Sequence, residues 1–237
     1  VWIDLNNNGI EDSGEADIEF TKNKGYPLGA QTITIYGKVT SLVCSDNRLK
    51  ALDVSKNSAL WRIDCDNNQL TSLNLSNSIE LFRLYCGNNQ LTSLNFSNNP
   101  KLEWLWCPDN QLTSLNVSNS TELLYLCCDN NQITSLNLSN NPKLEDLWCC
   151  GNQITALDVS KNTNLRHLGC YNNSIYGSNM TALVNSLPTR NAGKEGDFYV
   201  VNKNGDGNVC TPAQVNIAKN KNWDVKDSGG NTYSGSK

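Results

Sequence analysis

Between residues 39 and 177 the apolar positions recur every 21 residues, not at the 3.6-residue spacing of an isolated amphipathic helix. Seven cysteines mark the period: Cys44, Cys65, Cys86, Cys107, Cys128, Cys149 and Cys170. Five positions before each stands an aliphatic residue (Val39, Leu60, Leu81, Leu102, Leu123, Leu144, Leu165), and two before it another (Leu42, Ile63, Leu84, Leu105, Leu126, Leu147, Leu168). A third follows five positions later (Leu49, Leu70, Leu91, Leu112, Ile133, Ile154, Ile175), and three after each cysteine comes an asparagine (Asn47, Asn68, Asn89, Asn110, Asn131, Asn152, Asn173). The unit reads LxxLxCxxNxL, seven times without insertion. A period of this length predicts a solenoid, in which each coil buries its apolar side against its two neighbours.

Within a unit the L-x-C alternation predicts a short parallel strand with Leu and Cys turned inward. The asparagine falls where the chain turns, and its amide can pair with buried backbone groups left open there. The second half of the unit, LTSLNLSNN or LDVSKN, adds two inward apolar positions such as Leu73 and Leu75, then a serine in register. Ser, Asn and the prolines Pro100 and Pro142 oppose an α-helix there, so a thin extended or 3₁₀ outer wall is expected. Seven strands with gaps of about 4.8 Å make a sheet on the order of 29 Å across.

These residues resemble the leucine-rich repeat of bacterial cell-surface proteins of the internalin class, in particular the internalin J type with its 21-residue unit and cysteine ladder. The resemblance covers roughly residues 39–177. It implies a leucine-rich-repeat solenoid, α/β by lineage and mostly β in content, with a parallel concave sheet. It also implies a secreted or surface-anchored binding protein, and hence adhesion or recognition rather than catalysis. The expected organisation is an N-terminal segment (1–38), the solenoid (39–177) and an αβ C-terminal cap (178–237).

A solenoid needs covered ends. In DLNNNGIEDSGE, the residues Asp4, Asn6, Asn8, Gly9, Ile10, Asp12 and Glu15 have the spacing of a calcium loop. The ligands would be Asp4, Asn6, Asn8, Ile10 through its carbonyl, Asp12 and Glu15, with calcium in a structural role; the alternative is an Asn/Gly-rich turn without metal. Gln31 to Gly37 alternates like a strand and is expected to begin the sheet. At the other end Met180, Leu183, Val184 and Leu187 predict a short helix closed by Pro188, and Phe198 to Val201 a strand. Thr211, Pro212 and Gln214 predict a capped helix, and Trp223 and Val225 a last strand, so the cap extends the sheet by one or two strands. Asn202, Asn204, Asp206 and Gly207 mimic a second calcium loop, but Ala213 stands where an acid is needed, which favours an ordinary turn.

The chain has 237 residues with 19 Lys and Arg against 23 Asp and Glu, a net charge of −4. That balance points away from a nucleic-acid partner, and no apolar run reaches the roughly 18 residues of a membrane span. The chain opens on Val1, as expected of a processed or trimmed sequence. Its ten cysteines include no CxxC pair. Stacked thiols of one column point the same way and are expected to stay free. Cys127 and Cys150 flank the column and are expected to face outward; Cys210 has no predictable partner. A single histidine, His167, lies about 13 Å from Cys150 along adjacent strands, too far for a dyad. No two carboxylates are expected side by side on neighbouring strands.

Residues flanking the inward Leu and Cys would face the concave surface. They give an aromatic field of Tyr85, Trp104, Trp106, Tyr125, Trp148 and Tyr171, edged by Arg83, Asp129, Asp146 and His167. Clustered Trp and Tyr with charged edges have the composition of a recognition patch, although strands favour aromatics in any case. The expected function is non-catalytic binding of a protein or glycan, one of host origin included, by an extracellular monomer. The alternative is a spacer that presents another domain.

Overall fold

The computed structural model describes residues 2–4, 32–36 and 39–236. Strand β1 (Trp2–Asp4) pairs antiparallel with β2 (Thr32–Tyr36). The first coil then contributes β3 (Ser41–Val43) and, on its return arm, β4 (Ala51–Asp53). Here the structure corrects one expectation: β2 does not begin the concave sheet beside β3 but joins β4 in a three-stranded sheet of order β1-β2-β4. The return arm is extended there, with Leu52 buried and Asp53 exposed, so its backbone offers an edge to which β2 adds in parallel.

The main sheet continues through β5 (Arg62–Asp64), β6 (Arg83–Tyr85), β7 (Trp104–Trp106), β8 (Tyr125–Cys127), β9 (Asp146–Trp148) and β10 (His167–Gly169). It ends with β11 (Gly196–Val201) and β12 (Trp223–Asp227), so that nine parallel strands lie in the order β12-β11-β10-β9-β8-β7-β6-β5-β3. From β3 to β10 each strand is three residues long, and its central Leu or Ile is buried. Residues 21 apart are register partners, so every sequence column is a straight row across the sheet.

All ten cysteines are free and buried. Burial pushes the ladder thiols upward, and they act as small apolar core residues. Beside them runs the asparagine column. Asn110 is representative: Nδ2 donates to the carbonyls of Cys86 (2.9 Å), Cys107 (3.3 Å) and Pro108 (3.1 Å), while Oδ1 accepts from the Leu91 amide (3.0 Å). The residue two after each ladder cysteine has positive φ (Asp46, Asn67, Asn88, Asp109, Asn130, Gly151, Asn172). Only Asn, Asp and Gly occupy that column, because they enter the left-handed region at least cost. A second column lies on the return arm: Asn57, Ser78, Asn99, Ser120, Asn141 and Asn162, all buried.

The cap continues the solenoid's logic. Helix α1 (Gly177–Ser186) buries Met180, Leu183 and Val184. Helix α2 (Pro212–Lys219) starts at Thr211 with a complete Thr211–Gln214 capping box. Trp223 is buried on β12 and donates its Nε1 to the Pro188 carbonyl at 2.7 Å. In the loop after β11 the Asp206 carboxylate accepts from the amides of Asn172, Asn202 and Asn208. Its oxygens therefore serve the chain as an ordinary turn would use them. Asn208 repeats the ladder geometry, donating to the Cys170 and Val200 carbonyls and accepting from the Ile175 amide, each at 2.8 Å. It is an eighth rung supplied from outside the repeat.

Candidate functional site

On the solvent face of the sheet, the residues on either side of each buried Leu form two rows. The first runs Arg62, Arg83, Trp104, Tyr125, Asp146, His167 and is carried on by Asp197 and Asp224 of the cap. The second runs Asp64, Tyr85, Trp106, Cys127, Trp148, Gly169, then Tyr199 and Lys226. Straight rows follow from the constant repeat length, which stacks like positions on neighbouring strands.

The rings fall into two groups. Trp104 and Tyr125 stack with centroids 4.0 Å apart and planes 3° from parallel, and Trp106 lies 6.3 Å from Tyr125. Trp148 packs instead on Tyr199, at 5.3 Å and 40°. Gly169 makes that possible: a Cβ there would lie 2.4 Å from Cε3 of Trp148. The Arg62 guanidinium sits over the Tyr85 ring at 5.4 Å, and Arg83 lies between the rings of Phe82 (5.5 Å) and Trp104 (5.9 Å). Burial raises the Tyr125 phenol and pushes that of Tyr171 up to about 12.

Cys127 and Cys150 do not face outward as expected. They are 1% and 2% exposed, and both thiols donate to the Asp129 carboxylate, whose Oδ1 also accepts from the Cys150 amide at 2.6 Å. Cys127 sits between Trp106 and Trp148 in its row, and these large side chains shield the smaller one. Burial holds Asp129 up at about 6 and keeps both thiols protonated. Asp129 is thus a half-buried brace rather than a free edge of the aromatic field.

His167 is tied to Asp146 through Nδ1 and lies 3.4 Å from Asp197 through Nε2. Asp197 also binds Lys226, which is 3.8 Å from Asp224. The expectation of no paired carboxylates fails here, since Asp197 and Asp224 are register partners on β11 and β12. Lys226 bridges them, so the pair belongs to an ion-pair network. Asp197, Tyr199 and Lys226 were not foreseen as surface residues, because no period of 21 reaches into the cap. The alternation in DFYVV was the available signal, placing Asp197 and Tyr199 on one face.

Among the described residues no group of three His, Cys, Asp or Glu side chains is placed to hold a metal. Of the expected calcium ligands, Asp4 closes β1, and Asn6, Asn8, Ile10, Asp12 and Glu15 lie outside the described residues. No helix among the described residues is long and apolar enough to cross a membrane.

The parallel sheet, the asparagine column and the helix-free return arms define a leucine-rich-repeat solenoid. Solved structures agree. The functional domain of InlJ from Listeria monocytogenes, which includes a cysteine ladder, matches with a TM-score of 0.59 and 31% identity over 63% of this chain and 33% of that one. An internalin, InlF, from Listeria monocytogenes strain 4b F2365 gives 0.53 and 30% over 58% and 43%. YopM, a leucine-rich effector protein from Yersinia pestis, gives 0.55 and 27% over 69% and 43%. The chain is an internalin-like leucine-rich-repeat protein. It spans between a third and less than half of the length of these proteins. No family model matches it, and no curated protein does.

Proposed function

We propose that the chain is a non-catalytic recognition module of a secreted or surface-attached bacterial protein, binding a protein or glycan through the aromatic rows of its concave sheet. The observation that carries this reading is the pair of ring groups, Trp104–Tyr125–Trp106 and Trp148–Tyr199, held in register on a rigid sheet among charged side chains. Rigid aromatics lose little entropy on binding, and they dominate the energetics of protein interfaces. The same reading makes the chain a monomer and gives calcium a structural role in the N-terminal segment, with Asp4, Asn6, Asn8, Ile10, Asp12 and Glu15 as its ligands.

The experiment is a screen of glycans and host surface proteins, run with and without a calcium chelator, followed by Trp106→Ala and Trp148→Ala. Lost binding with an unchanged circular-dichroism spectrum supports the recognition module. Attachment that survives both substitutions leaves the spacer reading in its place. Chelation is expected to lower the melting temperature if calcium is bound, and an unchanged melt removes calcium from the account.

A further inference from the structure

The two ends of the first concave row differ in how their polar groups are used. Toward the cap, the polar groups have partners: Asp146 with His167, and Asp197 with Lys226. Toward the N-terminus, three register neighbours on β5, β6 and β7 each carry a buried N–H with no acceptor: Nε of Arg62, Nε of Arg83 and Nε1 of Trp104. All three are donors. An orphaned buried donor is destabilising, so three in a line call for a physical reason.

Arg62 and Arg83 are also direct cross-strand partners, an unfavourable juxtaposition of like charges. Of the carboxylates nearby, Asp64 is engaged by Arg62 at 3.3 Å and by the Ser45 hydroxyl at 2.5 Å, and Asp66 holds the Gly87 amide at 2.5 Å. Arg83 has no ion pair among the described residues. Its guanidinium is half-buried and clamped by two rings, so little freedom remains to be lost when it binds.

Resting on the recognition reading above, we infer that Arg83, with Arg62 and Trp104 beside it, is the anchor for a carboxylate side chain on an acidic segment of a partner protein. A carboxylate accepts the forked N–H pair of a guanidinium in two parallel hydrogen bonds. A small side-chain rotation of Arg83 presents Nε with a terminal nitrogen, and the incoming charge relieves the Arg62–Arg83 repulsion. A protein source is favoured over a sugar acid by the stack itself. Sugars lay their C–H groups flat on an open ring face, whereas Trp104 is covered by Arg83 on one side and Tyr125 on the other. What remains open there is ring edges, with the buried N–H donors reached only when Arg83 rotates.

The test uses hexaglutamate, hexalysine and trigalacturonic acid as probes, titrated by tryptophan fluorescence and by NMR of the indole and arginine Nε–H signals. Hexaglutamate is expected to shift the Trp104 and Arg83 signals and to bind at least tenfold tighter than hexalysine, against the pull of the chain's net charge of −4. Arg83→Gln should weaken it tenfold or more, and Arg83→Lys about three- to tenfold, since lysine keeps the charge without the fork. Lys101→Gln, on an exposed ion pair off the sheet, should leave it unchanged. Hexaglutamate binding indifferent to Arg83→Gln overturns the inference, and tighter Arg83-dependent binding of trigalacturonic acid overturns the protein source. A screened partner that is lost with Trp106→Ala but kept with Arg83→Gln sinks the anchor and leaves the recognition module standing. A partner kept by both sinks both.

Discussion

Two columns of short polar side chains run the length of the solenoid, and they are filled differently. Just after the strands the column is Asn in all seven repeats; on the return arm it varies, as Asn57, Ser78, Asn99, Ser120, Asn141 and Asn162. Depth would suggest the reverse, because Asn110 is 8% exposed and Asn141 not at all. Hydrogen bonding explains it. Asn110 serves three carbonyls and one amide, whereas Asn141 donates to the carbonyls of Val117 and Ser120, and its Oδ1 has no partner. What fixes a residue within the repeat is the number of buried backbone groups that depend on it.

The sharpest way to break that comparison is Asn110→Ala. It leaves the Leu91 amide without its acceptor and takes one of two donors from each of the Cys86, Cys107 and Pro108 carbonyls, in the middle of the array. A loss on the order of 3–5 kcal/mol is expected from urea unfolding. A loss below about 1 kcal/mol would mean that the strand backbone holds without its amide.

Asn208→Ala asks whether a rung supplied by the cap obeys the same rule. Asn208 serves two carbonyls and one amide, one group fewer than Asn110. About 2–3 kcal/mol is expected, with hydrogen exchange rising first at Ile175 and along β11. Exchange that rises uniformly over all the repeats would show that the cap and the solenoid unfold as one unit.

The interior was legible in the sequence, and much of the surface was not, for a physical reason. Leu84, Cys86 and Asn89 each answer to neighbours on the adjoining coil, so periodicity alone places them. Cys127 and Cys150 answer to particular neighbours: Asp129 accepts hydrogen bonds from their thiols, and Trp106 and Trp148 flank Cys127. Tyr199 and Lys226 complete the rows from a segment with no repeat at all. Strand β2 went astray because its alternation fits any open parallel edge, and β4 provided one.

Asp129 sharpens the comparison with a charged residue in an amide's role, since its Oδ1 accepts the Cys150 amide as a ladder Oδ1 accepts an amide one coil away. Burial raises its carboxyl from 3.8 to about 6. The folded state therefore holds the proton more tightly than the unfolded chain. This group's contribution is greatest below about pH 4 and is lost as pH rises toward about 6. Asp129→Asn keeps an acceptor and removes the charge. A gain of about 1–2 kcal/mol is expected at pH 7 and almost none at pH 4, read from denaturation midpoints at the two pH values. Equal effects at both would mean that charge plays no part.

The smallest effect should come from Asn141→Ser, which writes into the fifth repeat what the second and fourth already have in Ser78 and Ser120. The substitution frees the Val117 and Ser120 carbonyls from Nδ2 but also removes a buried Oδ1 that had no partner. The two changes oppose each other, and a net loss below about 1 kcal/mol is expected, several times less than at Asn110. Measured with Asn110→Ala under the same conditions, the ratio is the quantity to watch. A ratio near one would return the explanation to burial alone, because the two sites would then differ only in depth. A large ratio means that unsatisfied oxygen, rather than exposure, is what lets serine enter one column and keeps it out of the other.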